Sequence, residues 1–140
     1  MLFRSYYDLM QEAQAREGAS AMLWLWKERS QGSWGLHRWD ESSGAWTERA
    51  EVFRWLARPR PLAVAGDLRG WSWDARAGAL TVRYAPRPEV TAPHELWLPP
   101  PAAGWTLRCA GASEASVDAA TGLARVRCAP TATELRATRG

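Results

Sequence analysis

A short apolar run near the start of the chain constrains its fold more than any other feature. Residues 21–26, Ala-Met-Leu-Trp-Leu-Trp, follow Gly18 closely and stop at the charged residues 27–29. The run is too short for an independent helix, so it predicts a β-strand. Both faces of this strand are apolar, which is typical of a parallel strand that is covered on both sides. We therefore expect a buried strand of an α/β layer that ends at Lys27, where such folds bind their ligands.

The segments on either side of this strand have helical patterns. Residues 2–17 place apolar side chains on one face and charged side chains on the other. Residues 48–57 follow Thr47, which can cap a helix, and have acidic residues in the first turn. Pro59 and Pro61 are expected to end that helix. The first part of the chain is therefore predicted to be an αβα unit.

The pattern changes near residues 58–61. From there, short alternating stretches are separated by turn signals roughly every 8–12 residues, which is typical of an antiparallel sandwich. Across one such turn, we expect Trp71 and Trp73 to face residues 80, 82 and 84.

The charge pattern gives no support to nucleic-acid or membrane binding. The net charge is +3, and the 18 basic residues are scattered among 15 acidic residues without a basic run. No stretch approaches the roughly 20 apolar residues of a membrane span. The helical pattern from residue 2 leaves no room for a signal peptide. We therefore expect no nucleic-acid partner and no transmembrane segment, and the cellular compartment stays open.

The histidines and cysteines lead to two further expectations. His37 and His94 have no acidic or cysteine partner nearby in sequence, so we expect no metal site, and nothing indicates a cofactor. Cys109 and Cys128 both fall on the apolar side of neighbouring predicted strands. They fit either a disulfide, if the chain is exported, or a pair of buried thiols. The sequence does not decide between these two alternatives.

The tryptophan strand and its continuation resemble glycoside hydrolase family 5. Residues 23–28, Leu-Trp-Leu-Trp-Lys-Glu, then a polar loop and Trp34-Gly35-Leu36, resemble the last strand of that family's barrel, with its Trp-x-Trp-Lys pattern. The flanking helices resemble the barrel's seventh and eighth helices. The later segments resemble the C-terminal β-sandwich of the endoglycoceramidase and glucosylceramidase-like branch. These segments are residues 58–66, 73–78, 84, 95–99 and 104–107. The family usually has an aromatic residue where Arg60 stands.

The resemblance spans nearly the whole chain and implies an α+β fragment. Residues 1–60 correspond to the terminal αβα piece of a TIM barrel, and residues 61–140 to an antiparallel β-sandwich. A complete barrel needs about 250 residues, so the chain is interpreted as a truncated product, a fragmentary sequence or one half of a split enzyme. We expect residues 62–140 to fold alone and residues 1–57 to be protease-sensitive, because the buried strand lacks both neighbours.

The family resemblance also implies an activity, which is the retaining hydrolysis of a β-glycoside by two glutamates about 5 Å apart. In the family these glutamates end the fourth and seventh barrel strands, and no glutamate of this chain stands in a matching position. We therefore assign no catalytic residue and expect the chain alone to be inactive. The implied partners are a carbohydrate or glycolipid substrate, in the context of a full barrel, and the missing N-terminal barrel segment.

Four residues are carried over from the family as substrate-binding candidates: Trp24, Trp26, Lys27 and Trp34. In the family, the tryptophan matching Trp24 stacks on the sugar next to the cleaved bond, and the loop tryptophan matching Trp34 lines the cleft in some members. The apolar face of a pyranose lies well on an aromatic ring, which contributes about 1–2 kcal/mol. Lys27 fits a bond to a sugar hydroxyl or an ion pair at the barrel rim. For Trp26, as for Trp39, packing in the core or rim is the better interpretation.

The alternative function is a non-catalytic β-sandwich module that binds carbohydrate or a protein partner. Trp71, Trp73, Trp97 and Trp105 fall in the predicted sandwich, and carbohydrate-binding modules present flat aromatic platforms on such folds. However, three of these tryptophans share alternation parity with apolar neighbours, which predicts that Trp71, Trp73 and Trp105 pack in the core.

Overall fold

The structure is a computed structural model that describes residues 9–10, 12–14, 16–17, 27–28 and 35–140. It divides into a first unit that ends at Ala57 and a second unit that is mainly Arg58–Gly140. Near the N-terminus, residues 9–10, 12–14 and 16–17 are helical. The predicted strand at residues 21–26 lies outside the described residues. No helix in the described part is long and apolar enough to cross a membrane.

The first unit contains a small sheet and a short helix. Its elements are β1 (Lys27–Glu28), β2 (His37–Asp40), β3 (Ala45–Glu48) and α1 (Ala50–Leu56). The sheet order is β1-β2-β3, with β1 parallel to β2 and β2 antiparallel to β3. The turn between β2 and β3 is closed by the Gly44 N–H, which donates to the Asp40 carbonyl at 2.9 Å.

The second predicted helix begins later than expected. Arg49 is its N-cap residue and makes no capping hydrogen bond through its side chain. Thr47 lies in β3 instead, where its hydroxyl donates to the Arg38 carbonyl at 3.2 Å. The prediction that Thr47 caps the helix was wrong, because pairing with β2 holds this residue in an extended strand. α1 ends at Leu56, ahead of Pro59 as predicted.

The second unit consists of two four-stranded sheets whose paired strands are all antiparallel. One sheet has the order β4-β7-β10-β9 and the other the order β5-β6-β11-β8. The predicted antiparallel sandwich is confirmed. Its strands are β4 (Arg60–Ala63), β5 (Gly66–Asp74), β6 (Ala79–Pro86), β7 (His94–Trp97), β8 (Trp105–Cys109), β9 (Ser113–Val117), β10 (Leu123–Arg127) and β11 (Glu134–Arg139).

The core of this unit is drawn from both sheets. Its fully buried side chains include Leu80, Val82 and Leu135 from one sheet and Leu96 and Val126 from the other. Each of these residues alternates along its strand with more exposed positions, because successive side chains of a strand point to opposite faces.

The tryptophans of β5 face the core as predicted. Trp71 lies opposite Val82 and Trp73 lies opposite Leu80, and both indoles pack against the buried cluster. Tyr84 lies opposite Leu68 rather than in line with the two tryptophans, because the register shifts between Leu68 and Gly70. The alternation therefore predicted the face of the strand correctly but did not reveal this bulge.

A disulfide joins the two sheets of the sandwich. Cys109 ends β8 and Cys128 follows β10, and their sulfur atoms are bonded. Of the two alternatives that the sequence left open, the structure contains the disulfide. The cysteines are 19 residues apart. Closing a loop of this length stabilises a fold by about 3 kcal/mol in the chain-entropy treatment.

Candidate functional site

The predicted substrate-binding residues fall largely outside the described part of the chain. Trp24, Trp26 and Trp34 are not among the described residues, and Lys27 is described only through its backbone in β1. Lys27 lies opposite His37 in the parallel pairing of β1 with β2. The two described residues that follow the predicted tryptophan strand thus lie beside the strand that follows the loop. Contact between these four side chains and a substrate stays a prediction.

The chain is anchored where the loop returns, directly after Trp34. Gly35 and Leu36 are both buried. The Arg49 guanidinium donates to the Gly35 carbonyl at 3.0 Å, and the Arg49 backbone N–H donates to the Leu36 carbonyl at 2.9 Å. The residue that precedes α1 therefore fixes the backbone next to the loop tryptophan. Nothing in the sequence indicated this anchor, because a single arginine between a strand and a helix carries no periodic signal.

Aromatic side chains pack on the small sheet of the first unit. Trp39 and Trp46 lie directly opposite each other on β2 and β3, with ring centroids 5.3 Å apart and a 64° angle between the rings. His37 packs edge-on against Phe53 of α1 at 5.7 Å. Edge-to-face pairs of this kind contribute about 0.5–1.5 kcal/mol beyond their burial. The packing role expected for Trp39 is therefore confirmed.

Three aspartates close turns and are held ionised there. Hydrogen bonds from Ser42 and Ser43 lower the pKa of Asp40 to about 2. In the same way, backbone N–H groups at residues 76 and 77 lower the pKa of Asp74, and Thr121 together with the backbone at residue 120 lowers that of Asp118. A general acid needs a pKa close to the working pH. These carboxylates therefore stabilise turns and are unsuited to acid catalysis at neutral pH.

The tryptophans of the sandwich divide between its two sides. Trp71, Trp73 and Trp105 pack against the core, as predicted, and Trp73 lies 5.8 Å from Trp105 between ring centroids. Trp97 ends β7 and lies between the buried Leu96 and Leu98, so its side chain points to the other side of the sheet.

Arg60 covers the ring of Trp97. The two residues are paired across β4 and β7, and the Arg60 guanidinium lies 4.5 Å from the ring centroid. A flat guanidinium stacks on an aromatic face much as a second ring does. The arginine therefore performs a packing role at the position where the family usually has an aromatic residue.

A pocket that the sequence did not predict lies in the second unit. It has a volume of about 200 Å³ and is lined by residues of β6, β7 and β10 and by the loops 87–92 and 128–130. At its base His94 is 2% exposed and Tyr84 is 3% exposed, with ring centroids 4.5 Å apart. Burial lowers the pKa of His94 and raises that of Tyr84, so both side chains are neutral near pH 7.

No metal site is formed around this histidine or elsewhere in the described part. No group of three or more His, Cys, Asp or Glu side chains comes together there. The signal that could have pointed to the pocket is the parity of His94 with Leu96 and Leu98, since all three residues are buried on one side of the chain.

The two sheets and the arginine–tryptophan pair belong to a stretch that a family profile recognises. The profile described as Glycoside hydrolase family 5 C-terminal domain matches residues 58–137, more than half of the chain. The chain therefore belongs to glycoside hydrolase family 5, as the tryptophan strand and its continuation predicted.

Within that family, the chain is similar to solved structures of endo-glycoceramidase II from Rhodococcus sp. These include its complexes with ganglioside GM3 and with a cellobiose-like isofagomine, and its lactosyl-enzyme intermediate. Each is 26% identical, with a TM-score of 0.72, over 98% of this chain and 28% to 29% of the enzyme chain. The chain thus spans under a third of the length of those enzymes. No curated protein sequence matches it.

Proposed function

We propose that the chain is the C-terminal part of a retaining β-glycosidase that hydrolyses O-glycosyl bonds of glycolipids or other β-glucosides. Residues 1–60 form the closing αβα piece of a (β/α)8 barrel, and residues 61–140 form the β-sandwich domain that supports it. One observation carries the proposal: the likeness to endo-glycoceramidase II extends over 98% of the chain. It therefore includes the segment before the sandwich as well as the sandwich itself.

The complexes of the similar structures support both the substrate class and the mechanism. One Rhodococcus structure is a complex with ganglioside GM3, a glycolipid, and another is a lactosyl-enzyme intermediate. A glycosyl-enzyme intermediate is the hallmark of retaining hydrolysis, in which one carboxylate attacks the sugar and the other acts first as acid and then as base. The proposed parent enzyme of this chain uses the same two steps.

In this proposal, the chain supplies binding residues and no catalytic glutamate. Trp24 stacks on the sugar next to the cleaved bond, and Trp34 lines the cleft beside it. Lys27 donates to a sugar hydroxyl at the rim, and Trp26, the fourth candidate, packs in the core or rim beside them. The anchoring of Gly35 and Leu36 by Arg49 supports a fixed position for the backbone next to Trp34. The chain alone is inactive because the glutamate pair lies in the missing N-terminal barrel segment.

A chimera tests the proposal. This chain replaces the matching C-terminal segment of Rhodococcus endo-glycoceramidase II, and hydrolysis of GM3 and of a fluorogenic β-lactoside is measured. The chimera is expected to turn over substrate, whereas the isolated chain is not. Trp24→Ala should lower kcat/KM of the chimera about 5- to 30-fold, the equivalent of about 1–2 kcal/mol of stacking, and Trp24→Phe should lower it less.

A matched control removes a tryptophan that the proposal keeps out of the cleft. Trp97→Ala removes an indole covered by Arg60 on the sandwich and should leave kcat/KM within about twofold of the parent chimera. Turnover by the isolated chain would contradict the proposal. So would an active chimera in which Trp24→Ala has no more effect than Trp97→Ala.

The alternative, a free-standing carbohydrate-binding module, has less support. Trp71, Trp73 and Trp105 pack against the core and are not available as a flat platform, and Arg60 already covers the ring of Trp97. Isothermal titration of the isolated chain with a glucoside separates the two functions. Binding at millimolar or lower concentration that Trp97→Ala abolishes would favour the module.

A further inference from the structure

Arginines are distributed unevenly between the two sheets of the sandwich. The sheet β5-β6-β11-β8, together with the turn 75–78, contains six arginines and three acids. The sheet β4-β7-β10-β9 contains three arginines and two acids. The sheet β5-β6-β11-β8 with its turn thus carries a net charge of +3, as much as the whole chain. Basic residues that are scattered along the sequence are brought together there by the strand order.

The arginines of the two sheets also differ in their partners. In the sheet β4-β7-β10-β9, Arg60 stacks on an indole, and Arg125 and Arg127 pair with acids of neighbouring strands. In the other sheet, Arg108 and Arg136 are exposed and form no ion pair and no side-chain hydrogen bond with any residue that the structure describes. We call these two residues the guanidinium pair.

The guanidinium pair consists of direct neighbours on two strands. Arg136 of β11 lies opposite Arg108 of β8. Both alternate along their strands with side chains that pack in the core, so both point to the outer face of the sheet. The Cβ atoms of directly opposite residues are about 4.5–5.5 Å apart, and like charges in such positions destabilise a sheet. The fold therefore holds two positive charges side by side at a cost to its stability.

The acids of the same sheet do not bond to the guanidinium pair. Two of the three are ion-paired with other arginines: Asp67 with Arg87 and Glu134 with Arg83. The third, Asp74, accepts two backbone N–H groups of its own turn at 2.9 Å. These hydrogen bonds are the main cause of the lowered pKa of Asp74, and the charges of Arg76 and Arg136 add to it. Asp74 thus offsets part of the positive charge from a distance, and an external anion would offset the rest.

The remainder of this outer face is polar. Thr81 and Ser72 continue the row of the guanidinium pair across β6 and β5, and Thr138 and Thr106 form the next row. The exposed large apolar side chains of the described residues all lie outside β6, β8 and β11. A helix or patch that enters a bilayer needs apolar side chains, and unpaired bases need aromatic rings on which to stack. Charges and hydroxyls alone suit a hydrated anionic polymer.

The geometry of two adjacent guanidiniums favours a particular anion. Each guanidinium presents a fork of N–H groups that binds two oxygens at once. A sulfate ester has three terminal oxygens and can accept from two forks together. A carboxylate and a phosphodiester each have only two such oxygens, which one fork already occupies. Because the chain belongs to a glycoside hydrolase family, a glycan is the carrier of this group that its family context favours.

We propose that the outer face of the sheet β5-β6-β11-β8 binds a sulfated glycan chain. One sulfate ester lies between the guanidiniums of Arg108 and Arg136, and the hydroxyls of Thr81 and Thr138 donate to oxygens of the same sugar. Arg76, at the turn, attracts the next sulfate along the chain. This surface is inferred from the sandwich and from family membership, so it does not depend on the proposed glycosidase function.

The test uses the whole 140-residue chain, labelled with ¹⁵N, and a heparin-derived hexasaccharide at pH 7.5 in 50 mM NaCl. The hexasaccharide should shift the amide signals of β8 and β11 in a saturable way. Raising the NaCl concentration to 300 mM should weaken binding at least tenfold, because salt screens exposed charges. The desulfated hexasaccharide should cause no saturable shift. A hyaluronate hexasaccharide, which carries carboxylates only, should bind at least fivefold more weakly than the sulfated one.

Variants separate the guanidinium pair from the general charge of the protein. Arg108→Ser and Arg136→Ser should each weaken binding about five- to tenfold, because each removes charged hydrogen bonds to the sulfate. Each variant also removes a repulsion, so its urea midpoint should equal or exceed that of the parent. Arg125→Ser is the matched control, since it removes the same charge from an exposed, ion-paired arginine of the other sheet. It should leave the Kd within twofold of the parent.

Several outcomes would overturn the proposal. These are the absence of saturable shifts with the sulfated hexasaccharide, an equal loss of affinity in Arg125→Ser and Arg108→Ser, or a lower urea midpoint in both variants of the guanidinium pair. Tighter binding to phosphatidylserine vesicles or to a 12-base-pair DNA duplex would replace the glycan by a membrane or a nucleic acid. Because the glycosidase proposal is tested by turnover of the chimera, either proposal can fail without the other.

Discussion

The two units of the chain differ in the architecture that their described residues form. In the second unit, two four-stranded sheets enclose a core with side chains from both, and a disulfide ties the sheets together. In the first unit, the described sheet has three short strands, and Leu36 and Val52 are its buried apolar side chains among the described residues. The proposal that the first unit belongs to a larger barrel predicts that the second unit alone is a self-sufficient domain.

The largest effect is expected from Gly122→Ala in the sandwich. Gly122 has φ of +75°, and a Cβ there would lie 1.9 Å from the Leu98 carbonyl oxygen, so the backbone of the turn has to move. We expect a loss of about 3–5 kcal/mol in the free energy of unfolding, measured by urea denaturation.

A second glycine separates the close contact from the backbone conformation. Gly104 has a similar φ of +83° but no atom within 4 Å of the Cβ position. Gly104→Ala should therefore lower the free energy of unfolding by only about 1–2 kcal/mol, which is the cost of a left-handed backbone conformation at a residue other than glycine. Equal losses for the two variants would show that the turn at Gly122 is not tightly packed.

The next effect concerns the disulfide that joins the two sheets. Replacing both Cys109 and Cys128 by alanine should lower the free energy of unfolding by about 3 kcal/mol. For a domain of this size that corresponds to a fall in Tm of about 12–24 °C, measured by differential scanning calorimetry. The first unit has no cysteine, so a reductant should act on the sandwich transition alone. A Tm of the sandwich that does not respond to reductant would refute the stabilising role of the disulfide.

A matched pair of valines tests whether the units unfold independently. Val82 in the sandwich is 0% exposed and Val52 in α1 is 1% exposed. Val82→Ala should destabilise the sandwich by about 2 kcal/mol, through lost burial and a small cavity. Val52→Ala should leave the unfolding midpoint of the sandwich unchanged, as followed by the ¹⁵N signals of β6 and β11. A shift of that transition by Val52→Ala would mean that the units are energetically coupled.

The smallest effect is the pH dependence that His94 gives to the sandwich. Burial places its pKa in the folded state below the usual 6.5, so between these two pKa values the unfolded chain binds more protons. The stability due to the neutral imidazole is therefore fully present above about pH 6.5 and is lost as the pH falls through the folded-state pKa. The urea concentration at the midpoint of unfolding should therefore decrease from pH 7.5 to pH 6.5 and again to pH 5.5. His94→Gln should flatten the dependence, and a parent curve that is already flat would contradict it.

The sandwich could be predicted from its sequence because its signals are local. Leu80 and Val82 alternate with polar neighbours, and the turn that joins β5 to β6 brings Trp71 and Trp73 opposite them. In an antiparallel hairpin the partner of a strand comes next along the chain, so the period of the apolar residues is enough to assign the face.

What could not be predicted depends on contacts between distant segments or on competition between local ones. The His94–Tyr84 pocket needs two loops, 87–92 and 128–130, which the sequence does not show to be neighbours. At Thr47, the sequence is compatible both with a helix cap and with a strand residue. In the structure Thr47 is a strand residue because it pairs with β2. The proposed substrate-binding residues, Trp24 foremost, rest on the family resemblance alone, because apolar alternation does not distinguish a stacking platform from a core residue.

Limited proteolysis of the isolated chain and of the Rhodococcus chimera, read by mass spectrometry, tests the central claim most directly. We expect cuts within residues 1–57 of the isolated chain, protection of the same residues in the chimera, and protection of residues 62–140 in both. Equal protection of residues 1–57 in the two proteins, or first cuts within the sandwich, would contradict the assignment of the first unit to a barrel that this chain does not complete.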